Sequence, residues 1–275
     1  MLVGALVGES GERERLLGVT LCSVLVYWFG MAANDVVDLQ KDRLGAPQRP
    51  LASGALSLVA AIGVCVALVA GAVLVGVWLQ ITAAVVGLLA LVVLYDFGGK
   101  KVPILGNVLM GSCRAGNFLL GAVALAGWGI FESDHSASLW VGAALLGFYV
   151  AGVTAVSVLE DREFRRGRFL ATALLLLTVP VALVLRSPAD LWNWANALWL
   201  VALLGWAVRT ACRAAPEGPH GADWFVRQAL SGIFLVDAGC LLALSPNDFP
   251  LHSEVLILYA LFVLTWVWKK RWFAT

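Results

Sequence analysis

Charge is what this sequence has least of: Asp, Glu, Lys and Arg make up 13% of its 275 residues, where an ordinary soluble domain carries roughly a quarter. Set beside 61% hydrophobic residues, that deficit excludes a water-soluble globule. Cysteine is scarce and odd in number. Cys22, Cys65, Cys113, Cys212 and Cys240 form no C-x-x-C pair and no ligand spacing with histidine, which excludes a disulfide framework and a zinc site. They read as small buried hydrophobes. A basic excess is also missing, with 19 Lys and Arg against 18 Asp and Glu, so nucleic acid is not an expected partner. The first twenty residues lack the basic, apolar and cleavage regions of a signal peptide. His135, His220 and His252 fall in predicted loops away from other ligands, and no P-loop, dinucleotide fingerprint or Ser-His-Asp set is present.

What the sequence has in abundance is apolar runs of about twenty residues, the length that crosses the roughly 30 Å hydrocarbon core of a bilayer. Runs near 16–33, 56–76, 79–95, 104–127, 138–158, 168–186, 192–210, 228–245 and 254–270 predict nine spans. None shows the alternating pattern of a barrel strand, so all are read as α-helices that satisfy their own backbone. The fold class expected is an all-α polytopic bundle of about nine transmembrane helices, with residues 1–275 forming one integral membrane domain. If the connections alternate sides, fifteen of the nineteen basic residues fall on one side, including Lys41, Arg43, Arg49, Lys100, Lys101 and Arg162. Arg13, Arg15 and Arg186 fall on the other and Arg114 lies within a span. The positive-inside rule then assigns the basic side to the cytoplasm.

Acids also gather on that side, at three helix ends: Asp35, Asp38 and Asp42, then Asp96, then Glu160, Asp161 and Glu163. On a helix, spacings of three and four bring Asp35, Asp38 and Asp42 to one face. Like charges so placed repel unless a cation stands between them, and hard oxygen donors suit Mg²⁺ bridging to phosphate. The bland alternative is an interfacial acidic helix end neutralised by Lys41 and Arg43.

The segment NDVVDLQKDRLGAPQRPLASG, Asn34 to Gly54, resembles the UbiA superfamily of intramembrane prenyltransferases. Its N-D-x-x-D-x-x-x-D motif is matched by Asn34, Asp35, Asp38 and Asp42, and the R-P-L-A-S-G that often follows it stands at Arg49 to Gly54. The chain is also similar to the family in Tyr95 with Lys100 or Lys101, and in GNVLMGSCRAGNFLLG, which carries Arg114 and Asn117. The likeness runs from about residue 16 to 210. Three departures accompany it. The second acidic motif, commonly D-x-x-x-D, is replaced by SVLEDREFRRGR with Glu160, Asp161 and Glu163. The interval from Tyr95 to Lys100 is one residue longer than the usual Y-x-x-x-K. The helix that precedes the first motif's helix in the family is reduced to MLVGALVG, as if truncated. The altered second motif and RQALSGIFLVDAG look most like the EboC-like branch.

The resemblance implies a Mg²⁺ cofactor held by Asp35, Asp38 and Asp42, a second ion at Glu160, Asp161 and Glu163, and a polyprenyl diphosphate donor clamped between them. Asn34, Lys41, Arg43, Arg49, Lys100, Arg114 and Asn117 are the diphosphate-binding candidates, and Asp35, Asp38 and Tyr95 the catalytic ones. Tyr95 would offer an aromatic face to an allylic cation. Arg114 is a site candidate on independent grounds, because an arginine within a span is expensive unless paired. Its alternative is an ion pair with Asp96. The expected activity is prenyl transfer to an aromatic or other lipophilic acceptor, from a site facing the cytoplasm, giving a membrane lipid. The competing expectation is a carrier or lipid-binding membrane protein that keeps the fold without turnover. Most of the 12 Trp and 12 Phe read as packing and interfacial anchors, and Gly71 with Gly76 and Gly111 with Gly116 as points of close helix contact.

Overall fold

The computed structural model of the protein describes residues 10–133 and 136–157, together with short helical stretches between 205 and 233. The described residues are helical, with no strand among them. They comprise α1 (Ser10–Val37), α2 (Leu39–Gly45), α3 (Leu58–Trp78), α4 (Thr82–Asp96), a 3₁₀ turn (Gly99–Lys101), α5 (Pro103–Ala126), a second 3₁₀ turn (Trp128–Glu132) and α6 (Ser136–Ser157). The first five expected spans correspond to α1, α3, α4, α5 and α6. The expected span 168–186 and its successors 192–210, 228–245 and 254–270 lie wholly or largely outside the described residues.

Four of these helices, Arg13–Val37 within α1, Leu58–Trp78, Ile104–Ala126 and Ser136–Ser157, are long and apolar enough to cross a membrane. The chain is a multi-pass membrane bundle. At 1.5 Å per residue, α3 measures about 31 Å, a full hydrocarbon core. By the same rise α4, with 15 residues, reaches only about 22 Å. α4 starts directly after the turn that ends α3 and closes on Asp96.

Residues Ala5–Ser136 form one compact unit, and Ala137–Thr275 belong to a second. In the first, α1 packs against α3, α4 and α5. Val19, Cys22, Val26, Phe29 and Ala33 are buried along α1 at alternating spacings of three and four, one continuous helix face. They meet Ala72 of α3, Val85, Leu88 and Leu89 of α4, and Leu120, Val123 and Ala124 of α5. Small residues set the closest approaches. A Cβ at Gly76 would lie 2.9 Å from Val85, and one at Gly116 3.2 Å from Leu88, which accords with the packing reading of these glycines. The outward faces remain apolar: only 11% of the apolar window of α3 is buried, and Val59, Val66, Leu74 and Val77 are exposed, as lipid contact requires.

The two ends of this unit differ in chemistry. At the end opposite the acids, Arg15 donates to the Ala124 carbonyl at 3.0 Å, satisfying one of the orphan carbonyls in the last turn of α5. In the second unit, α6 buries Gly142, Ala143, Leu146, Gly147, Tyr149, Val150, Val153 and Val156. The Tyr149 hydroxyl there donates to the Ala229 carbonyl at 2.7 Å.

The contact between α3 and α4 generates a prediction. Gly76→Val pushes two branched methyls into Val85, an overpacking change of about 1–3 kcal/mol. Thermal melts of detergent-purified protein are expected to show a lower midpoint for Gly76→Val than for Gly63→Val, since a Cβ at Gly63 has nothing within 4 Å.

Candidate functional site

The acidic segment begins inside α1. That helix ends at Val37, and Asp38 stands between it and α2 with φ −87° and ψ 3°. The bonds from Asp38 N to Asn34 O and from Asp42 N to Asp38 O, both 2.8 Å, carry the four-residue repeat through the junction. Asn34, Asp38 and Asp42 therefore follow one another a turn apart. Beyond α2 the chain folds back through R-P-L-A-S-G. Leu51 is buried in a small cluster with Leu39 and Ala61, against Val36, which pins the loop to α2 and α3. Gly54 takes the left-handed φ of 81°, open to glycine at little cost. The Ser57 hydroxyl then accepts from Ala60 N at 3.2 Å, capping α3. The motif thus serves to anchor the loop at Leu51, turn it at Gly54, and hold Arg49 over the acids.

Arg49 reaches two of the acids. Its Nη1 donates to Asp42 Oδ2 at 2.8 Å and lies 3.6 Å from Asp35 Oδ1. The third acid turns elsewhere. Lys100, presented by the 3₁₀ turn between α4 and α5, donates to Asp38 Oδ2 at 2.8 Å and to Asn34 Oδ1 at 2.6 Å. Its Nζ also lies 3.8 Å from Asp96 Oδ1. The three acids therefore do not converge on a single point. They divide between two cations, because Lys100 meets Asp38 from the turn between α4 and α5 while Arg49 meets Asp35 and Asp42 from the loop after α2.

Lys100 is placed by tight local packing. Gly99 is buried, and a Cβ there would lie 2.8 Å from the Leu94 carbonyl oxygen. Asp96, the last residue of α4, is buried, and Lys100 at i+4 shields its charge. Asp96 was missing from the sequence-derived site. Its signals in the sequence are its place among the acids at the helix ends and the four-residue interval to Lys100.

Beside this network lies a cavity of about 410 Å³. Asn34, Asp35, Arg49 and Asp96 line its polar end. Val26, Leu88, Val92 and Met110 form apolar wall, and Tyr95, Cys113, Arg114, Ser23 and Asn117 complete it. Ser23 donates to Asn117 Oδ1 at 2.7 Å, linking α1 to α5. Among the described residues Arg114 makes no hydrogen bond or salt bridge, and Asp96 is taken by Lys100 rather than by Arg114.

The structure thus brings together Asn34, Asp35, Asp38, Asp42, Arg49 and Lys100, and puts Tyr95, Arg114 and Asn117 on the wall of the adjoining cavity. Lys41 and Arg43 are exposed on α2 and take no part in the ion-pair network or the cavity lining, and Lys101 is exposed as well. Of their neighbours in sequence, Asp42 turns towards Arg49, whereas Gln40 and Leu44 are exposed like them. Glu160, Asp161 and Glu163 lie outside the described residues.

For a metal, the donor set is suited by kind: carboxylate and amide oxygens, hard donors of the class that holds Mg²⁺. Among the described residues, however, no three His, Cys, Asp or Glu side chains are grouped to hold an ion. Arg49 and Lys100 supply the positive charge between these carboxylates. A divalent cation would replace those contacts.

The profile of the UbiA prenyltransferase family matches residues 1–231. Among curated proteins, the digeranylgeranylglyceryl phosphate synthase of Natronomonas pharaonis is 34% identical over 129 residues, 46% of this chain and 46% of that protein. The synthase of the same name from Thermococcus kodakarensis is 30% identical over 135 residues, 47% and 48% of the two chains. That of Pyrococcus furiosus is 31% identical over 134 residues, again 47% and 48%. The matched stretch spans about half the length of these curated relatives, none of which is named as an EboC-like protein. No solved structure matches.

Lys100 and Lys101 make a contrasting pair. In Lys100→Met, Asp38 loses a charge-assisted bond and buried Asp96 its shielding, a loss of about 1–3 kcal/mol. Lys101→Met is expected to be close to neutral. Melting curves of the two variants in detergent check the difference, and equal midpoints would contradict the role given to Lys100.

Proposed function

The chain belongs to the UbiA prenyltransferase family, and from that premise we propose that it is a Mg²⁺-dependent intramembrane prenyltransferase. It moves an isoprenyl group from a polyprenyl diphosphate to a lipophilic acceptor. The observation that carries this reading is the junction of an acid and cation network, Asn34, Asp35, Asp38, Asp42, Arg49 and Lys100, with a cavity walled by apolar side chains. A diphosphate needs the first and a prenyl tail needs the second.

In this reading Asp35, Asp38 and Asp42 hold Mg²⁺, and Glu160, Asp161 and Glu163 hold a second ion. When bound, Mg²⁺ offsets the charge of the leaving diphosphate. Arg49 and Lys100 exchange carboxylate contacts for phosphate oxygens, and Asn34 keeps the Lys100 ammonium aimed at the mouth. Each charge-assisted hydrogen bond of this kind is stronger in a water-poor pocket. Val26, Leu88 and Val92 keep water from the reacting carbon. Tyr95 presents its ring to the positive charge that develops there.

An aromatic acceptor and an alcohol both fit a lipophilic nucleophile. The names of the synthases described above favour an alcohol of the glyceryl phosphate class and a geranylgeranyl donor. In this reading the site faces the cytoplasm, which the basic residues at the helix ends support. A carrier without turnover is the second reading. It is favoured by one observation, that Arg49 and Lys100 between them reach every acid at the mouth.

Binding of farnesyl thiodiphosphate, a slowly reacting donor analogue, to the purified chain separates the two readings. Mg²⁺-dependent binding that weakens at least tenfold in Asp38→Ala is the outcome expected of the enzyme. A well-folded wild type that ignores the analogue with or without Mg²⁺ would favour the carrier. Orientation is checked separately. Gly45 is exposed with open space around it, so Gly45→Cys, in a background lacking reactive cysteines, is expected to react with an impermeant thiol reagent only from the cytoplasmic face.

A further inference from the structure

The wall that α4 gives to the cavity has a pattern. Leu88, Val92 and Asp96 all line it, at intervals of four, so one face of the helix runs up the cavity as two apolar side chains and ends in a carboxylate. Tyr95, beside Asp96 in the chain, lines it too. The carboxylate is thus one residue away from the ring assigned above to the reacting carbon.

Asp96 differs from the other acids of the mouth in what it lacks. Asp42 receives a hydrogen bond from Arg49 and Asp38 one from Lys100, each at 2.8 Å, while Asp35 is about half exposed and open to water. Asp96 is 2% exposed, and among the described residues none donates a hydrogen bond to its side chain. Its nearest cation, Lys100 Nζ, stands at 3.8 Å, beyond hydrogen-bond range. The same ammonium is held at 2.6 Å by Asn34 and at 2.8 Å by Asp38. A carboxylate has about four acceptor positions, and leaving all of them empty away from water is costly, so such an orphan calls for a donor. The apolar run below it says which kind. A hydroxyl at the end of an apolar chain meets Leu88 and Val92 with its carbons and Asp96 with its O–H.

We propose that Asp96 is the general base of the transfer, accepting the hydrogen bond of the acceptor's hydroxyl and then taking its proton. The inference rests on the prenyltransferase reading for the transfer, and on the unbonded carboxylate for the hydroxyl. As the acceptor oxygen forms its bond to the prenyl carbon, the bond from that carbon to the diphosphate breaks, the diphosphate leaves with the electron pair, and the hydroxyl proton passes to Asp96. When the phosphate oxygens of the donor draw Lys100 towards them, Asp96 loses its nearest positive charge and becomes a stronger base. The nucleophile is accordingly an alcohol rather than an aromatic carbon.

The test uses the full chain in detergent micelles with Mg²⁺ and farnesyl thiodiphosphate. Hexadecanol and hexadecyl methyl ether share a tail, and only the alcohol donates a hydrogen bond. Wild type is expected to bind the alcohol at least tenfold more tightly than the ether, the range of one hydrogen bond to a charged group. Asp96→Leu is expected to erase that preference, and Asp96→Asn, nearly unchanged in shape, to reduce it, which covers the case in which Asp96→Leu does not fold. Both are expected to hold the donor analogue within about threefold of wild type. Turnover separates a base from a support of Lys100. With geranylgeranyl diphosphate as donor, Asp96→Asn is expected to lose at least a hundredfold in transfer to a single-chain glyceryl phosphate. Less than tenfold is expected to be lost with the analogue that carries a thiol in place of the hydroxyl, since a thiol ionises far more readily without help. Equal binding of alcohol and ether by wild type would overturn the hydroxyl site. Equal losses on the alcohol and the thiol would overturn the base in favour of a positioning role through Lys100. An alcohol preference that survives in a wild type blind to the donor analogue would uphold the hydroxyl site and overturn the prenyltransferase reading.

Discussion

Lys100 is the side chain on which the polar end of the bundle depends. It sits in a region poor in water, beside the buried carboxylate of Asp96 and in contact with Asp38 and Asn34. Asn34 and Asp38 arrive with α1 and its junction, Asp96 with α4, and Lys100 itself with the turn into α5. One ammonium thus joins three stretches of chain that apolar packing brings to the same level. Burying such charges is costly, and a single ammonium shared by two carboxylates offsets part of that cost. The arrangement also fixes where α1 gives way to α2, and with it the direction in which Asp42 and the following loop proceed.

Arg49 plays the looser counterpart. Its side chain and that of Asp35 are both about half exposed, 49% and 54%, so their pairing is of the weak surface kind. A tight inner pair and a loose outer one suit a mouth that has to admit charged groups.

Much of this was legible before any coordinates. The first five apolar runs matched helices, the spacing of acids marked the end of α1, and R-P-L-A-S-G pointed to the loop that carries Arg49. What spacing could not show was pairing at a distance. Asp38 and Lys100 are 62 residues apart, so a helical wheel drawn through Asp35, Asp38 and Asp42 put them together when tertiary contacts pull them apart. Lys41 and Arg43, diphosphate candidates by the resemblance, flank Asp42 yet are exposed, since side chains one or two positions apart on a helix point in different directions. Asp96 stood among the acids at the helix ends and as an alternative partner of Arg114, but outside any motif, and its interval to Lys100 went unused. Arg114 was conspicuous from the start, since a charge within an apolar run has few innocent explanations.

The short α4 bears on the lipid as well as on the protein. At about 22 Å it falls short of a hydrocarbon layer of about 30 Å, and the chain goes on from it through the 3₁₀ turn Gly99–Lys101. Backbone that leaves the α-helical ladder near lipid is tolerated only where protein covers it. Gly99 provides that cover: it is buried, and its missing Cβ lets the turn close on the Leu94 carbonyl oxygen.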